Sequence, residues 1–408
     1  MTLSPPRIAI AGGGPAGLTI GLLLYRRGIP FTIFELRQKP TDEELAKPSG
    51  MLDLHDESGI TAIKECNLFD EFLKRTGECS EQQKVSDKDG NILHKDDGEL
   101  SERPEISRHA LTKLLISHIP TNQIKWNHKL LSATSSTTSG RTEIELDFGT
   151  NGKQTFDLVI GADGAWSKVR NLLTNVKPQY AGSQCITLNV PEITKKYPHL
   201  AELVGLGSFS ALGKRHGVMS QRGPQDAARI YIFLSVADEH FVASAGLAGK
   251  TAAAAKAQLL DDDALLGSFG PAIKALVAAA CDEDEAAALD IYPLYMLPVG
   301  CAWEHKPGAT LIGDAAHLMC PWAGEGVNLA MWDSLLLAHA IAKAYETAAA
   351  DAVAFQRALD PLVKEFEVEM AARAKEKAEE TLSNGQMLFG EDGANAFAEF
   401  FRRVYQQE

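Results

Sequence analysis

The amino-acid sequence predicts an α/β protein in which a parallel sheet is interrupted by a second, largely antiparallel sheet. Three observations lead to this prediction. A buried strand at 7–11 runs through a glycine-rich turn into a helix, and apolar segments at 157–162 and 309–313 are each followed by an aspartate. Residues 179–290 contain alternating apolar and polar stretches followed by Ala-rich helices. The 408 residues suffice for two or three domains.

The composition excludes several classes of protein. With 40 basic and 54 acidic residues the net charge is −14, which repels a phosphate backbone, so we expect no nucleic-acid partner. Six scattered cysteines without a CxxC pair favour neither a disulfide framework nor a zinc site. The first residues lack a signal-peptide pattern, and apolar stretches such as 18–24 are far shorter than the ~20 residues that cross a bilayer. We therefore expect a soluble cytoplasmic protein without a membrane span, and a monomer.

The first motif is the sequence GGGPAG, between the strand at 7–11 and an apolar helix. Gly12 permits a tight turn, Gly14 lets the backbone approach a pyrophosphate, and Gly17 lets the helix pack closely on the strand. The N–H groups at the helix start can hold a phosphate, which the helix dipole also favours. Glu35 follows the next strand, 18 residues beyond Gly17, where an acid can bind a ribose diol.

Alternatives remain open for this motif. A glycine-rich turn also joins strand and helix in other α/β proteins, although the flanking elements and the acid favour nucleotide binding. The motif alone does not separate NAD from FAD. Arg37 is compatible with pairing to a phosphate and equally with an ordinary surface position.

Two later motifs place aspartates at the carboxyl ends of predicted strands. Asp163-Gly164 follows the segment DLVIGA, and Asp314 follows LIG. Open α/β sheets bind their ligands at this edge. Beyond Asp314, a proline and two glycines precede an apolar helix that begins with Gly326 and Asn328. Such a loop exposes backbone N–H donors and predicts a site for an anion or a carbonyl oxygen.

Together these motifs make the chain resemble the group A flavoprotein monooxygenases, which have the p-hydroxybenzoate hydroxylase fold. The resemblance rests on GGGPAG with Glu35, on Asp163-Gly164 with Ser167 and Arg170, and on GDAAH with the following proline and glycines, in this order along the whole chain. Four further segments look like the tetracycline-inactivating flavin monooxygenases: 49–59, 87–93, 104–108 and 311–328.

The resemblance implies a Rossmann-like FAD-binding domain of discontinuous segments, with a mixed or antiparallel substrate sheet inserted and C-terminal helices that bridge the two. The FAD-binding segments are 1–75, 100–178 and 291–344, the substrate segments are 76–99 and 179–290, and the C-terminal helices occupy 345–408. We expect one long helix over 345–382 that ends near 383–385, and a final amphipathic helix at 393–405.

It also implies a set of residues that hold tightly bound, non-covalent FAD. These are Gly12, Gly14, Ala16, Gly17, Glu35, Arg37, Asp53, Arg108, Leu130, Asp163, Asp314, Pro321, Gly324, Gly326, Val327 and Asn328. By the resemblance, Arg108 begins a helix and contacts the chain between ribityl and phosphate, Leu130 on a strand meets the adenine through its backbone, and Asp314 binds the ribityl hydroxyls. The loop at 321–328 lies beside the isoalloxazine.

The activity implied is hydroxylation of a polycyclic or phenolic compound, with NADPH or NADH as transient reductant, O₂ as oxidant and a flavin C4a-hydroperoxide as the oxygen donor. Inactivation of tetracyclines is one candidate. The alternatives are a biosynthetic hydroxylase or epoxidase of the same fold, and a flavin-dependent reductase or dehydrogenase that does not activate oxygen. No general acid or base is named, because the cofactor carries the chemistry and His317 is better explained as structural. The intact Asp163-Gly164 motif departs from the tetracycline-inactivating group and favours ordinary NAD(P)H use.

The residues expected to face the substrate are Thr187, Met219, Tyr231, Pro321, Gly324 and Met387. The first three differ from the polar and basic residues of the tetracycline-inactivating enzymes, so each is equally explained as a sheet-core residue. Glu325 stands where many relatives have glutamine. Because a carboxylate beside a reduced flavin is unfavourable, we expect Glu325 to face solvent.

Overall fold

The computed structural model describes residues 4–77, 79–96, 98, 104–138, 140–284, 286 and 288–404. Its strands are β1 (Ile8–Ala11), β2 (Thr32–Phe34), β3 (Met51–Asp53), β4 (Gln83–Asp87), β5 (Ile92–Lys95), β6 (Glu105–Ser107), β7 (Ile124–Lys125), β8 (Ser132–Thr138), β9 (Arg141–Asp147), β10 (Lys153–Phe156), β11 (Leu158–Gly161), β12 (Gln179–Val190), β13 (Ser208–Gly213), β14 (His216–Gly223), β15 (Ala227–Ser235), β16 (Asp290–Met296) and β17 (Ala309–Leu311).

The helices are α1 (Pro15–Arg26), α2 (Asp42–Ala46), α3 (Thr61–Glu65), α4 (Phe69–Leu73), α5 (Arg108–Ser117), α6 (Arg170–Leu173), α7 (Ile193–Lys196), α8 (Pro198–Val204), α9 (Phe241–Ser244), α10 (Ala252–Asp261), α11 (Pro271–Glu283), α12 (Asp314–His317), α13 (Gly326–Ala348), α14 (Ala352–Leu388) and α15 (Gly393–Val404). Within the described part of the chain, no helix is long and apolar enough to cross a bilayer.

A five-stranded parallel sheet in the order β17-β11-β1-β2-β7 forms the centre of the first domain. All residues of β1, β11 and β17 are buried, as expected for strands covered on both faces. Because the strands are parallel, the glycine turn, Asp163 and Asp314 come together at one edge. The approach is close there: a Cβ on Gly12 would lie 2.1 Å from the carbonyl oxygen of Ala162.

A seven-stranded mixed sheet, in the order β16-β12-β15-β14-β13-β4-β5, forms the second unit. Its pairs are antiparallel except for β13 and β4, which run parallel. Helices α7, α8, α10 and α11 cover one face and enclose an apolar core with it. The opposite face is turned toward the first domain. This architecture, a parallel sheet with a second, largely antiparallel sheet inserted, confirms the predicted α/β fold class.

The C-terminal helices differ from the prediction at both ends of the long helix. The chain breaks between α13 and α14, where the Asp351 carboxylate accepts hydrogen bonds from the N–H groups of Val353 and Ala354 and so starts a new helix. Helix α14 then continues through Gly385 to Leu388 rather than ending near 383–385. Gly385 is inside the helix and lies against the Trp322 ring, where a Cβ would come within 2.8 Å of Cδ1, so the glycine makes room for that ring.

Leu130 does not lie on a strand, contrary to the prediction. Strand β7 ends at Lys125, because Asn127 has a positive φ of 58° that no extended strand accommodates. Asn127 and His128 donate backbone hydrogen bonds to the carbonyl oxygens of Arg37 and Glu35. Leu130 is a buried residue of the following loop.

The short antiparallel pair β3–β6 places two carboxylates opposite each other, Asp53 and Glu105. Burial, with added repulsion from Asp53 and Glu81, raises the pKa of Glu105 to about 7 from an ordinary 4.5. Its Oε2 is buried without a hydrogen-bond partner among the described residues. The native state therefore keeps a proton on Glu105 that the unfolded chain releases at lower pH.

We predict that Glu105→Gln becomes progressively more stable relative to the parent between pH 5 and pH 8. Because the pKa of Glu105 is higher in the folded than in the unfolded chain, the parent protein is most stable below the unfolded pKa of 4.5. It loses stability as the pH rises from there through the folded pKa of about 7. The loss is on the order of 2 kcal/mol. Urea unfolding across this pH range measures it, with Glu346→Gln as a solvent-exposed control. Parallel stability curves for parent and variant would contradict the assignment.

Candidate functional site

A cavity of about 730 Å³ lies between the carboxyl edge of the parallel sheet and the uncovered face of the seven-stranded sheet. Twelve of the residues predicted from the sequence are on its walls: Gly14, Ala16, Asp53, Arg108, Thr187, Met219, Tyr231, Asp314, Pro321, Gly324, Gly326 and Val327. The cavity is therefore built by both domains.

The glycine turn opens the start of α1 to this cavity. A Cβ on Gly17 would lie 2.0 Å from the carbonyl oxygen of Gly12, and Gly12 itself has φ +106°, so both positions require glycine for packing. Gly14 is different, because a Cβ there would meet no atom within 4 Å. Helix α1 has no side-chain cap. Its first turn thus offers backbone N–H groups beside open space, which suits a phosphate.

Glu35 lies beneath this turn with its carboxylate buried. It accepts hydrogen bonds from the Gly13 N–H at 2.7 Å, the Arg37 N–H at 3.0 Å and Arg37 Nε at 2.9 Å. Burial would raise the pKa of Glu35, but these hydrogen bonds outweigh it and hold the pKa below its ordinary value. The carboxylate therefore stays ionised and in place beside the turn. The Arg37 side chain is mostly exposed and pairs with Glu35.

Asp163 does not line the cavity, and its carboxylate stabilises the loop that follows it. Its carboxylate accepts hydrogen bonds from the Ser167 hydroxyl and, at 2.7 Å, from the Lys168 N–H. Burial raises the pKa of Asp163 above its ordinary value. The neighbouring Gly164 does line the cavity, so the motif contributes backbone to the wall and the aspartate shapes that backbone.

A second helix N-terminus faces the same cavity, at the start of α13. Gly324 has a left-handed conformation with φ +70°, and no side chain caps the helix. Asn328 is fully buried and holds the adjacent segment: its Oδ1 accepts the His55 N–H at 2.9 Å, and its Nδ2 donates to the Asp53 carbonyl at 3.0 Å. Asn328 thus positions the wall and is not itself part of it.

Between the two helix starts lie one cation and one acid. Arg108 follows the Ser107 cap at the start of α5 and forms no ion pair with any residue that the structure describes. Asp314 is open to the cavity and enclosed by protein elsewhere, and this desolvation raises the pKa of its carboxyl group. A diol placed between them can donate to Asp314, while Arg108 remains available to an anion.

Side chains from five adjacent strands of the seven-stranded sheet form a row across the cavity roof. In strand order these are Asp290, Thr187, Tyr231, Met219 and Ser210, which stand directly opposite one another in the register. The Thr187 hydroxyl donates to the Asp290 carboxylate. The Tyr231 hydroxyl would be 2.5 Å from a Cβ on Gly50, so that glycine makes room for it.

Sequence reasoning missed several cavity residues that accompany this row, among them Arg229 and Phe233. Both are two positions away from Tyr231, so the period of two along a strand could have identified them. The Arg229 Nε is buried without a hydrogen-bond partner among the described residues. Asp290 and Ser210 depend on pairing between strands and have no comparable local pattern.

Trp322 separates this cavity from a second one of about 690 Å³, whose wall it shares together with Cys320. The Trp322 ring packs edge-on against Phe233 and Phe389, at centroid distances of 4.6 and 4.8 Å. Met387 was expected to face the substrate. It packs into this aromatic cluster instead and lies on neither cavity wall, because the helix turn directs Gln386 and Gly385 to the second cavity.

Glu325 was expected to face solvent, and the structure shows that it does not. Its side chain is 10% exposed, and Oε1 is 2.6 Å from Lys377 Nζ. Oε2 is 3.5 Å from His55 Nδ1. The lysine of α14 compensates the carboxylate, which is why an acid is tolerated at this position.

His317 does not line the cavity, and its imidazole is paired with Asp333. Its Nε2 is 2.6 Å from Asp333 Oδ2, which also accepts the Gly313 N–H at 3.1 Å. Burial would lower the pKa of His317, but Asp333 outweighs that effect and raises it. The pair fixes the turn before α12 from behind the cavity wall. Among the described residues, no cluster of His, Cys, Asp or Glu could hold a metal ion.

These features fit FAD. Two uncapped helix N-termini, open space above Gly14, an unpaired Arg108 and the accessible Asp314 match a pyrophosphate, a ribityl chain and the electron-rich end of a flavin ring. Glu35, predicted to bind the adenosine ribose, is buried and holds the glycine turn through the Gly13 N–H.

Comparison with known proteins agrees with this geometry. The FAD binding domain family matches residues 7–254 and 305–354. The chain is 36% identical to the monooxygenase penA of Penicillium thymicola over 419 residues, with 95% of this chain and 96% of that protein covered. Among solved structures it is similar to Klebsiella pneumoniae HpxO complexed with FAD and uric acid, at a TM-score of 0.73 and 16% identity, over 98% of this chain and 93% of that one.

The tetracycline destructase Tet(55) shares the fold, with a TM-score of 0.62 and 18% identity over 96% of this chain and 98% of that one. At this identity the likeness concerns the fold alone. The relationship to penA is much closer in sequence. The predicted membership in the flavin monooxygenase group is thus confirmed.

We predict that Gly14→Ala weakens FAD binding without affecting stability, whereas Gly17→Ala destabilises the fold. The first adds a methyl group into open space, so the FAD-free protein keeps its melting temperature while the FAD dissociation constant rises about tenfold or more, because the pyrophosphate loses its close approach. The second forces a backbone clash and destabilises the chain by about 2 kcal/mol or more. Fluorescence titration with FAD and thermal unfolding distinguish the two. Equal effects of both variants on stability would refute the distinction.

Proposed function

Because the chain belongs to the family of FAD-dependent monooxygenases, we propose that it uses NAD(P)H and molecular oxygen to transfer one oxygen atom to an aromatic or polycyclic small molecule. The observation that carries this proposal is the single cavity in which the start of α13 faces the side-chain row on the seven-stranded sheet. A flavin ring and a flat substrate can be stacked between them.

Bound FAD would supply the oxygen-transfer chemistry. The chain's own groups would bind and orient it: the first turn of α1 holds the pyrophosphate, Glu35 the adenosine ribose, and Asp314 the ribityl hydroxyls. The N-terminus of α13 would stabilise negative charge on a bound flavin with fixed N–H dipoles, which cost no reorganisation during turnover.

The roof supports an aromatic substrate with an oxygen acceptor at one end. Met219 and Phe233 give an apolar surface, whereas the Arg229 guanidinium, which also lines the cavity, and the Tyr231 hydroxyl offer hydrogen-bond donors. Burial raises the pKa of Tyr231, so its hydroxyl keeps its proton at neutral pH. A carbonyl or phenolic oxygen of the substrate would satisfy these donors.

The resemblance to tetracycline-inactivating enzymes makes tetracyclines one polycyclic class to test, together with other phenolic compounds. We also propose a cytoplasmic location and a monomeric state. The six cysteines, all described and none in a disulfide, support the reducing compartment.

The test is to follow oxygen and NADPH consumption by the FAD-loaded protein with a tetracycline and with a panel of phenols. The proposal expects a compound that stimulates both rates and is recovered heavier by one oxygen atom. NADPH oxidation coupled to a reduced product, without oxygen uptake, would instead identify a reductase. A protein that cannot be loaded with FAD would overturn the proposal.

We predict that Met219→Trp blocks the organic substrate and leaves FAD bound. Met219 is at the centre of the roof row, so the larger ring fills the substrate space without approaching α1. The KM for a stimulating compound should rise by about tenfold or more, whereas the FAD dissociation constant changes by less than about twofold. Met219→Leu keeps the volume and serves as the control. A Met219→Trp protein with unchanged KM would place the substrate elsewhere.

A further inference from the structure

We propose that Asp53, His55 and Glu325 form a proton-transfer path between the cavity and Lys377 at the protein surface. The inference rests on the proposed function, because a monooxygenase consumes a proton in every turnover. A substrate RH, NAD(P)H, one H⁺ and O₂ become ROH, NAD(P)⁺ and H₂O. The cavity that must exclude water from this chemistry still has to receive that proton.

The inner end of the path is Asp53. It lines the cavity, and a Cβ on Gly324 would be 3.8 Å from its Oδ1, which places the carboxylate beside the loop that precedes α13. His55 stands directly behind it, with Nε2 at 3.2 Å from Asp53 Oδ2. The His55 side chain is only 3% exposed, so bulk water does not reach the ring.

The outer end begins on the other ring nitrogen. His55 Nδ1 is 3.5 Å from Glu325 Oε2, and Glu325 Oε1 is 2.6 Å from Lys377 Nζ. The exposed fraction of the side chain rises from 10% at Glu325 to 31% at Lys377, which therefore reaches solvent. From the cavity wall to the surface, the order of groups is therefore carboxylate, imidazole, carboxylate and ammonium.

A separate side chain holds this geometry. Asn328 accepts the His55 N–H and donates to the Asp53 carbonyl, so one buried amide fixes the backbone of both residues. Gly59 leaves space for that amide, because a Cβ there would be 2.6 Å from Asn328 Oδ1. The positions of the imidazole and the inner carboxylate are therefore built into the packing.

The proton balance is simple. The Lys377 ammonium passes a proton to the Glu325 carboxylate and regains one from solvent. Glu325 gives that proton to His55 Nδ1, and the proton on Nε2 passes to Asp53 Oδ2. Asp53 then gives the proton to an acceptor in the cavity. The imidazole is left neutral with its proton on Nδ1, and one such transfer supplies the single proton that one two-electron reduction requires.

Other ionisable groups also face the path. Glu57 Oε1 is 3.9 Å from His55 Nδ1, but its side chain is 76% exposed. Glu105 is opposite Asp53 across β3–β6, and Glu380 is 3.1 Å from Lys377 Nζ. None of these three lies between the imidazole and the cavity, so among the described residues Asp53 is the group that can complete the inner step.

Reduction with methyl viologen radical tests the path without substrate or NADPH. This donor delivers electrons and no proton, so two-electron reduction of bound FAD must draw one proton from solvent, which a fluorescent pH indicator records in a stopped-flow instrument. We expect His55→Gln and Glu325→Gln to bind FAD and to slow this uptake by about tenfold or more. Added imidazole should restore the rate in His55→Gln, and the exposed Glu379→Gln of α14 should match the parent.

Uptake at the parental rate in His55→Gln and Glu325→Gln would overturn the path, as would slow uptake in His55→Gln that imidazole leaves unchanged. A purely structural role predicts that second result. If His55→Gln does not fold, Glu325→Gln decides alone, because glutamine preserves the shape of that side chain. Failure of the parent to bind FAD would instead refute the proposed function, which keeps the two failures distinct.

Discussion

Two helix N-termini point into one cavity, and the other charges of the site are arranged around the positive potential that they create. Each contributes roughly half a unit charge from backbone N–H groups that no pH change removes. In a chain of net charge −14, this fixed potential is what makes a phosphate-bearing cofactor acceptable. The nearby carboxylates are restrained accordingly: Glu35 by hydrogen bonds, Glu325 by Lys377, and Asp314 by a pKa that burial raises.

Backbone forms most of one side of the cavity, and side chains form the other. The side assigned to FAD is largely backbone, and Gly12 and Gly17 are required there because a Cβ on either would lie about 2 Å from a carbonyl oxygen. The opposite side consists of side chains from separate strands, whose meeting depends only on sheet register. Substitutions there, such as at Met219 or Thr187, can change the substrate space without disturbing the turns that hold the cofactor.

This difference also explains which parts of the structure could be predicted from the sequence alone. The strand, turn and helix at 7–26 are local, so these elements could be predicted from the spacing of the glycines. Leu130 was assigned to a strand because the apolar pattern does not reveal the positive φ of Asn127. The end of α14 was misjudged because Gly385 is a packing residue against Trp322, and that contact joins distant parts of the chain.

The charge compensation of Glu325 could not be predicted from the sequence either. From its neighbours in the sequence, an inward carboxylate beside a flavin looked unfavourable. The compensating Lys377 is 52 positions later on another helix, and His55 comes from the opposite end of the chain. Charge compensation at this site is thus a tertiary property. The same contacts turned an expected surface acid into a member of the path proposed between cavity and solvent.

The most direct test of the account is the crystal structure of this protein with FAD. We expect the pyrophosphate at the first turn of α1 and the isoalloxazine between Gly324 and the roof row that contains Tyr231, with the ring edge at the start of α13. Density for FAD outside this cavity, or a flavin ring separated from the start of α13, would contradict the claim that the two helix N-termini define the site.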